Sequence, residues 1–288
     1  MGQVFSVALR AYNCYTECMK DAAILLACMG RAVRLHQIAS DSKRSFMIKA
    51  RTRGLIFLVS LIIIISSRGV VAGGIGGVLD HFGNDLKFTY GYWPGLIALG
   101  GAIAAAELTE VDHRVSAHYR GGGNLGKFDK VAGYVGDFYV VDSVALLLFG
   151  ISKLAHADKP ALTGEAMLEA LALTETSTAA LKLAFRRGRP DGGKYSFPSG
   201  HVARCFAAAS VLETMHGPMA GIPAFLAASA ISFSRIDSNA HYLSDVAFGA
   251  AWGAAIGWGT AWFHKKSIKR LTISPMTDGT GIAISYRF

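Results

Sequence analysis

Residues 199–264 read SGHVARCFAAASVLETMHGPMAGIPAFLAASAISFSRIDSNAHYLSDVAFGAAWGAAIGWGTAWFH. Three apolar runs, 199–215, 218–234 and 241–264, are separated by Gly217-Pro218 and Asp237-Ser238-Asn239. Each run is too long for a strand, and each break carries turn chemistry, so the stretch predicts three consecutive helices. Upstream, the runs 93–109, 138–156 and 163–187 repeat the pattern, with breaks at Gly121-Gly122-Gly123-Asn124, Asp158-Lys159-Pro160 and Asp191-Gly192-Gly193. The expected fold is all-α, a single helical bundle of about six core helices. Residues 73–92 are Gly-rich and irregular. At the other end, Ile282, Ile284, Tyr286 and Phe288 alternate, which predicts a short C-terminal β appendage with 271–275 as the candidate partner. One terminal strand is not a barrel.

Composition agrees with close-packed helices. Of 288 residues, 52% are hydrophobic and 17% charged, and the mean hydropathy is +0.35. The net charge of +9 suggests nucleic acid until it is located. Residues 1–72 hold ten Lys/Arg against three Asp/Glu, and the rest is nearly balanced, with no basic stripe interleaved with aromatics. A nucleic-acid partner is therefore not expected. Cys14, Cys18 and Cys28 lie near the start and Cys205 alone in the body, so no disulfide framework is implied. The early cysteines have no His at zinc spacing.

Residues 54–67, GLIFLVSLIIIISS, follow Lys49, Arg51 and Arg53 and precede Val70-Val71-Ala72. A basic flank, a short apolar run and small residues beyond it describe a secretory signal. It lies far from Met1, and Met47 stands just ahead of the basic cluster. The expected organisation is therefore 1–46 as a non-native or cytoplasmic extension, 47–72 as a signal peptide or signal anchor, and 73–288 as the working domain. Either version exports the body, to the periplasm or to the inner membrane with the active site facing the periplasm. Segments 218–234 and 241–264 are apolar enough to be spans, and Trp252, Trp258 and Trp262 ahead of His264-Lys265-Lys266 resemble an interfacial edge. Against a polytopic protein stand Glu165, Glu169, Glu175 and Lys182 in one segment, and a short 93–109 that runs into Glu107, Glu110 and Asp112. The balance tips slightly towards an exported domain that touches the membrane.

Chemistry concentrates at three places: Lys182-Leu-Ala-Phe-Arg-Arg-Gly-Arg189-Pro190, Pro198-Ser199-Gly200-His201, and Ser234-Arg235 followed by His241 and Asp245. Gly188 and Pro190 stop the first helix, so Arg189 can turn back towards Lys182. Ser199 is placed to cap a helix, and Gly200 leaves the backbone N–H groups open to an anion. His241 and Asp245, four apart, share a helix face, where the carboxylate can orient the imidazole. Each feature alone has an ordinary explanation: a basic helix C-terminus, a Ser-capped helix, a surface His–Asp pair. Together they offer three cations, two N–H or O–H donors and two imidazoles, which is what a tetrahedral dianion requires.

Lys-x6-Arg-Pro, Pro-Ser-Gly-His and Ser-Arg-x5-His-x3-Asp resemble the three-part signature of the type 2 phosphatidic acid phosphatase superfamily, which also holds bacterial non-specific acid phosphatases and vanadium haloperoxidases. All eleven positions are present in order. The resemblance covers about residues 93–264. It implies a phosphatase with His241 as nucleophile, Asp245 as its orienting partner and His201 as general acid and base. It implies a phosphate cradle of Lys182, Arg189, Ser199, Gly200 and Arg235, with no metal and no other cofactor. The expected activity is hydrolysis of a phosphate monoester or diphosphate through a phosphohistidine, with a lipid-linked substrate favoured by the apolar body and export signal. The implied partners are a phosphorylated small molecule or lipid and the membrane; oligomeric state is not legible. The alternatives are a vanadium-dependent haloperoxidase and a lipid phosphotransferase using the same site. The segments 73–92 and 110–137 are the candidates for reading the remainder of the substrate.

Overall fold

The computed structural model describes Gly83, residues 93–268 apart from Gly122, and the segments 271–275 and 282–286. The extension 1–46, the signal segment 47–72 and the three early cysteines lie outside the described residues, as does 73–92 except Gly83. Among the described residues are seven helices: α1 (Trp93–His118), α2 (Lys127–Val135), α3 (Phe138–Leu154), α4 (Asp158–Phe185), α5 (Gly200–His216), α6 (Pro218–Asp237) and α7 (Leu243–Ile268). Strand β1 (Leu271–Pro275) pairs antiparallel with β2 (Ile282–Tyr286), Ile273 opposite Ile284, which is the expected β appendage. The all-α expectation holds.

The helices form where the apolar runs lie, with two differences. The run at 93–109 continues to His118, because Glu107, Glu110, Asp112 and Arg114 do not break a helix; only Gly121 to Gly123 do. The span 110–137, expected as loop, contains the end of α1 and all of α2. Asp137 caps α3, its side chain accepting from Tyr139 N at 3.2 Å.

The last helix, α7, is the central post. It packs against α5, α1 and α4, while α6 lies on α5, α3 on α4 and α2 on α6. Close approach of α7 to α5 rests on glycine. A Cβ on Gly253 would lie 1.9 Å from Ala203 O, and one on Gly257 2.3 Å from Ala207 O. Gly249 backs onto Ser199, where a Cβ would meet the carbonyl at 2.8 Å. This stripe, repeating every fourth residue against the alanines of α5, lets the two backbones touch.

Of the charges that argued against a membrane protein, Asp112, Glu165 and Glu169 are turned inward, while Glu107 and Glu110 stay exposed. Glu169 is fully buried and lies 2.7 Å from His264 Nε2, and Glu175 accepts from Arg204 Nε at 2.7 Å. Outward, α1 presents Trp93, Leu96, Leu99 and Ile103, and α6 presents Met219, Ile222 and Leu226. Both helices are long and apolar enough to cross a membrane, and α2 with α3, bent by 47°, forms a further candidate span. The candidate span at 241–264 falls on α7, the central post. Two of its tryptophans bond inside the protein, Trp252 Nε1 to Ser177 Oγ at 2.9 Å and Trp258 Nε1 to Glu213 Oε2 at 3.0 Å. By length and composition these helices suit a membrane, which weighs against the lean towards a domain that merely touches one.

Candidate active site

The three stretches meet at one end of the bundle, where α4 and α6 finish and α5 and α7 begin. Helix α4 closes at Phe185, earlier than Gly188, because Arg186 takes the left-handed conformation (φ 48°) and its N–H bonds back to Lys182 O at 3.0 Å. Lys182, one turn from that end, donates to the carbonyls of Tyr195 (2.8 Å) and Pro198 (2.7 Å). It is thereby tied to the loop that delivers Ser199, and a Cβ on Gly200 would sit 4.0 Å from Lys182 Cε. Arg189 follows in a tight turn, its N–H donating to Gly193 O at 2.8 Å and its Nε to Lys194 O at 3.1 Å.

Ser199 occupies the N-cap of α5, but its side chain does not cap. Its N–H donates to Asp245 O at 3.1 Å, and its fully buried hydroxyl has no protein partner. A buried hydroxyl without a partner costs free energy unless a ligand meets it. Behind it, α5 presents free N–H groups with Gly200 leading. Arg235, at the end of α6, donates through Nη2 to Asp129 O (3.2 Å) and Ser234 Oγ (3.0 Å), while its Nε has no partner. The absence of a side chain on Gly133 makes room for that guanidinium: a Cβ there would meet Nη2 at 2.8 Å.

His241 is buried in the turn between α6 and α7, its N–H donating to Arg235 O at 3.3 Å. Its Nδ1 stands 3.8 Å from Asp245 Oδ2, on the same side as expected but beyond hydrogen-bond length. Asp245 has closer partners: Arg187 Nη1 at 2.8 Å, Tyr242 N at 3.0 Å and the Ser196 hydroxyl. Burial raises its pKa, yet His241, Ser196 and Arg187 together lower it more, so the carboxylate stays ionised. His201 lies on the first turn of α5, with Nε2 3.7 Å from Asp137 Oδ2.

The charges show how close these groups are. Burial first, then Arg204, Arg235, His241 and Arg189, drive the His201 imidazole far below its ordinary pKa. Burial likewise lowers His241, aided by Arg189 and Lys182 against the pull of Asp245. Lys182 is pushed down to about 8 by burial and by Arg189. Every group named here feels at least one of the others, so Lys182, Arg189, Arg235, His201 and His241 surround one region. A phosphate dianion placed there would be held by three cations and the unpartnered hydroxyl.

Several neighbours escaped the sequence reading. Arg187 stands inside the first quoted stretch, and Asp112, which accepts from Arg187 Nη2 at 2.6 Å, comes from α1. Ser196, Asp137 and the Arg204–Glu175 pair also adjoin the site. No sequence signal singles out Asp112, since Glu107, Glu110 and Arg114 stand near it on α1 and only the structure shows that they are exposed while Asp112 is buried.

Comparison with known proteins agrees with this architecture. Residues 165–269 match the family model of the PAP2 superfamily. Over 80 residues the chain is 41% identical to the lipid A 1-phosphatase of Porphyromonas gingivalis, a match that takes in 26% of this chain and 18% of that protein's length. The chain thus spans less than a fifth of this relative. Among solved structures, the transmembrane PAP2-type phosphatidylglycerolphosphate phosphatase from Bacillus subtilis has the same fold: TM-score 0.54 and 20% identity, with 63% of this chain and all 100% of that one covered. LpxE from Aquifex aeolicus matches at 27% identity over 49% of this chain and 86% of its own, with a TM-score of 0.41.

Proposed function

We propose that this protein, whose residues 165–269 match the family model of the PAP2 superfamily, is a membrane phosphatase that removes phosphate from a lipid-linked monoester or diphosphate without a metal, through a phosphohistidine. The observation that carries the reading is that backbone-directed hydrogen bonds tie the three stretches together, Lys182 Nζ to Pro198 O, Ser199 N–H to Asp245 O and His241 N–H to Arg235 O, bringing Lys182, Arg189, Arg235 and the two imidazoles to one end of the bundle. Five such groups from three separate segment ends have no structural need of one another.

In the proposed reaction His241 attacks phosphorus through Nε2, since Nδ1 faces Asp245. The bond from phosphorus to the leaving oxygen breaks, and His201 gives that oxygen its proton. A water then attacks phosphorus, its proton passes to His201, the N–P bond breaks and phosphate leaves. The five-coordinate transition state carries its charge towards Lys182, Arg189, Arg235 and the α5 amides. His201 is neutral in the empty site, held so by burial and by Arg204 and Arg235. The arriving dianion offsets those guanidiniums and lets the ring take up the proton it will donate.

A lipid substrate is favoured by where α2 lies. Asp237 holds its leading loop, accepting from Asn124 Nδ2 at 3.1 Å and Leu125 N at 3.0 Å, and Arg235 holds its backbone at Asp129. The outer face of α2 exposes Phe128, Val131 and Tyr134 beside the phosphate cradle. The lipid A 1-phosphatase likeness points the same way. The site faces the periplasm in this reading, following the export signal in 47–72.

The test is phosphate release from phosphatidic acid, phosphatidylglycerol phosphate, undecaprenyl diphosphate and lipid A in detergent micelles. Release is expected to persist in EDTA and to stop with vanadate. His241→Ala should lower turnover roughly 10³-fold or more. Activity that vanishes in EDTA and returns with Mg²⁺, or a near-normal His241→Ala enzyme, overturns the mechanism.

A further inference from the structure

Arg187 binds two carboxylates at once. Its Nη1 donates to Asp245 Oδ1 at 2.8 Å, and its Nη2 donates to Asp112 Oδ2 at 2.6 Å. Both acids are fully buried, and they come from opposite ends of the sequence, α1 and α7. Ser244 closes the ring: its hydroxyl accepts from Arg187 Nη1 at 2.7 Å and donates to Asp112, and its N–H donates to Asp112 Oδ1 at 3.0 Å. The guanidinium also lies 4.3 Å over the Tyr242 ring. Tyr242, Ser244 and Asp245, the turn that carries His241, are therefore clamped from α1 through a single arginine.

The arithmetic of charge matters more than the clamp. One guanidinium between two carboxylates leaves one negative charge in excess. It is presented to His241 Nδ1 by Asp245, 3.8 Å away. The other charged and titratable groups facing His241 are Lys182 and Arg189, from the end of α4 and the loop after it, and His201 from α5. The cations oppose the positive charge that the ring acquires when Nε2 bonds to phosphorus, and the excess carboxylate favours it.

We infer that Asp112 and Arg187 are positioning residues for His241: Asp112 shares the arginine with Asp245, and so leaves Asp245 enough negative charge to support a cationic imidazole. Neither residue touches substrate; both act through Asp245. The inference rests on the nucleophile reading above for its catalytic consequence, but the electrostatic coupling can be read without turnover.

The experiment is a nitrogen-15 NMR titration of the His241 ring in full-length protein in detergent, with kcat and KM for p-nitrophenyl phosphate measured on the same samples across pH. In Asp112→Asn, Arg187 pairs with Asp245 alone and the excess charge is gone. The His241 pKa is expected to fall by about half a unit or more, and the acid limb of kcat/KM to move down with it. Loss of an orienting partner of an imidazole predicts kcat lower by ~10-fold or more, with KM little changed. The double variant Asp112→Asn/Arg187→Gln removes one charge of each sign, so the ring pKa should return most of the way to wild type. A role confined to packing predicts no such reversal. An unmoved pKa in Asp112→Asn, or a double variant shifted further from wild type than the single, overturns the inference. Should Asp112→Asn fail to fold, Arg187→Gln decides: it removes the shared cation and leaves both carboxylates, so the ring pKa should rise, and an unmoved or lowered pKa sinks the inference. If the pKa pattern appears but the wild type releases no phosphate from p-nitrophenyl phosphate or phosphatidic acid, the coupling stands and the phosphatase reading falls.

Discussion

Each residue of the site is set by what surrounds it, and Lys182 shows the consequence most directly. Burial and the neighbouring Arg189 push the pKa of its ammonium down to about 8 from the ordinary 10.5. Its proton is retained below that pH and lost above it, and with it goes one of the three cations proposed to hold phosphate. The pH dependence of kcat/KM reports groups in the free enzyme. It should therefore fall as pH rises through about 8. Lys182→Arg supplies a cation that stays charged to beyond ~12, so in that variant the alkaline limb should leave the accessible range even if the maximum is lower. An alkaline limb at the same pH in both proteins would assign the titration elsewhere. On the acid side His241 stays neutral to unusually low pH, because burial, Arg189 and Lys182 outweigh Asp245. Acid pH should inactivate the nucleophile only below the ordinary range of histidine.

At the scale of the element, the meeting of four helix ends depends on how closely α7 can approach α5. The stripe Gly249, Gly253 and Gly257 lies against the backbone of Ser199, Ala203 and Ala207. An added methyl at Gly253 would fall 1.9 Å from a carbonyl oxygen that cannot rotate aside, so the helices must part. Gly253→Ala should cost about 1–3 kcal/mol, seen as a lowered thermal midpoint. It should also loosen the bond from Ser199 N to Asp245 O, now 3.1 Å, and so reduce turnover in the fraction that remains folded. The helices themselves were legible in the sequence, because apolar runs broken by Gly, Pro, Asp and Asn carry their own boundaries. Six of the seven were read, and α4 ended two residues short of expectation because an arginine, Arg186, adopts the left-handed cap. Helix α2 was not legible. It has nine residues with a glycine inside, and the reason for that glycine is the guanidinium of Arg235, about a hundred residues away in sequence. The same separation hid Arg187. Lys182, Arg189 and the histidines stand at recognisable spacings, whereas the partners of Arg187 lie 75 residues before it and 58 after.

Among the described residues a polar site is combined with an apolar exterior, and the two are joined by α2. Trp93, Leu96, Leu99 and Ile103 on α1 and Met219, Ile222 and Leu226 on α6 turn outward, while Glu165, Glu169 and Glu175 turn in. Glu169 pairs with His264 and Glu175 with Arg204 inside the protein, so these two acids weigh less against membrane insertion than a count of charges along α4 suggests. Under the proposed function a substrate dissolved in the bilayer arrives from the side, and α2 lies on that approach. Its backbone is fixed to Arg235, and Phe128, Val131 and Tyr134 face outward. Under the proposed function those three side chains meet the lipid part of the substrate while the phosphate enters the cradle. The double variant Phe128→Ser/Val131→Ser should leave hydrolysis of p-nitrophenyl phosphate unchanged, since neither residue reaches the phosphate. Loss of two apolar contacts, worth about 1–3 kcal/mol together, should lower kcat/KM for a long-chain lipid phosphate roughly tenfold or more. The loss should shrink as the acyl chains are shortened, because less apolar surface remains to be missed. An equal decline with every substrate would instead mark α2 as a support for Arg235, and no decline with any would place the lipid path on another face of the bundle.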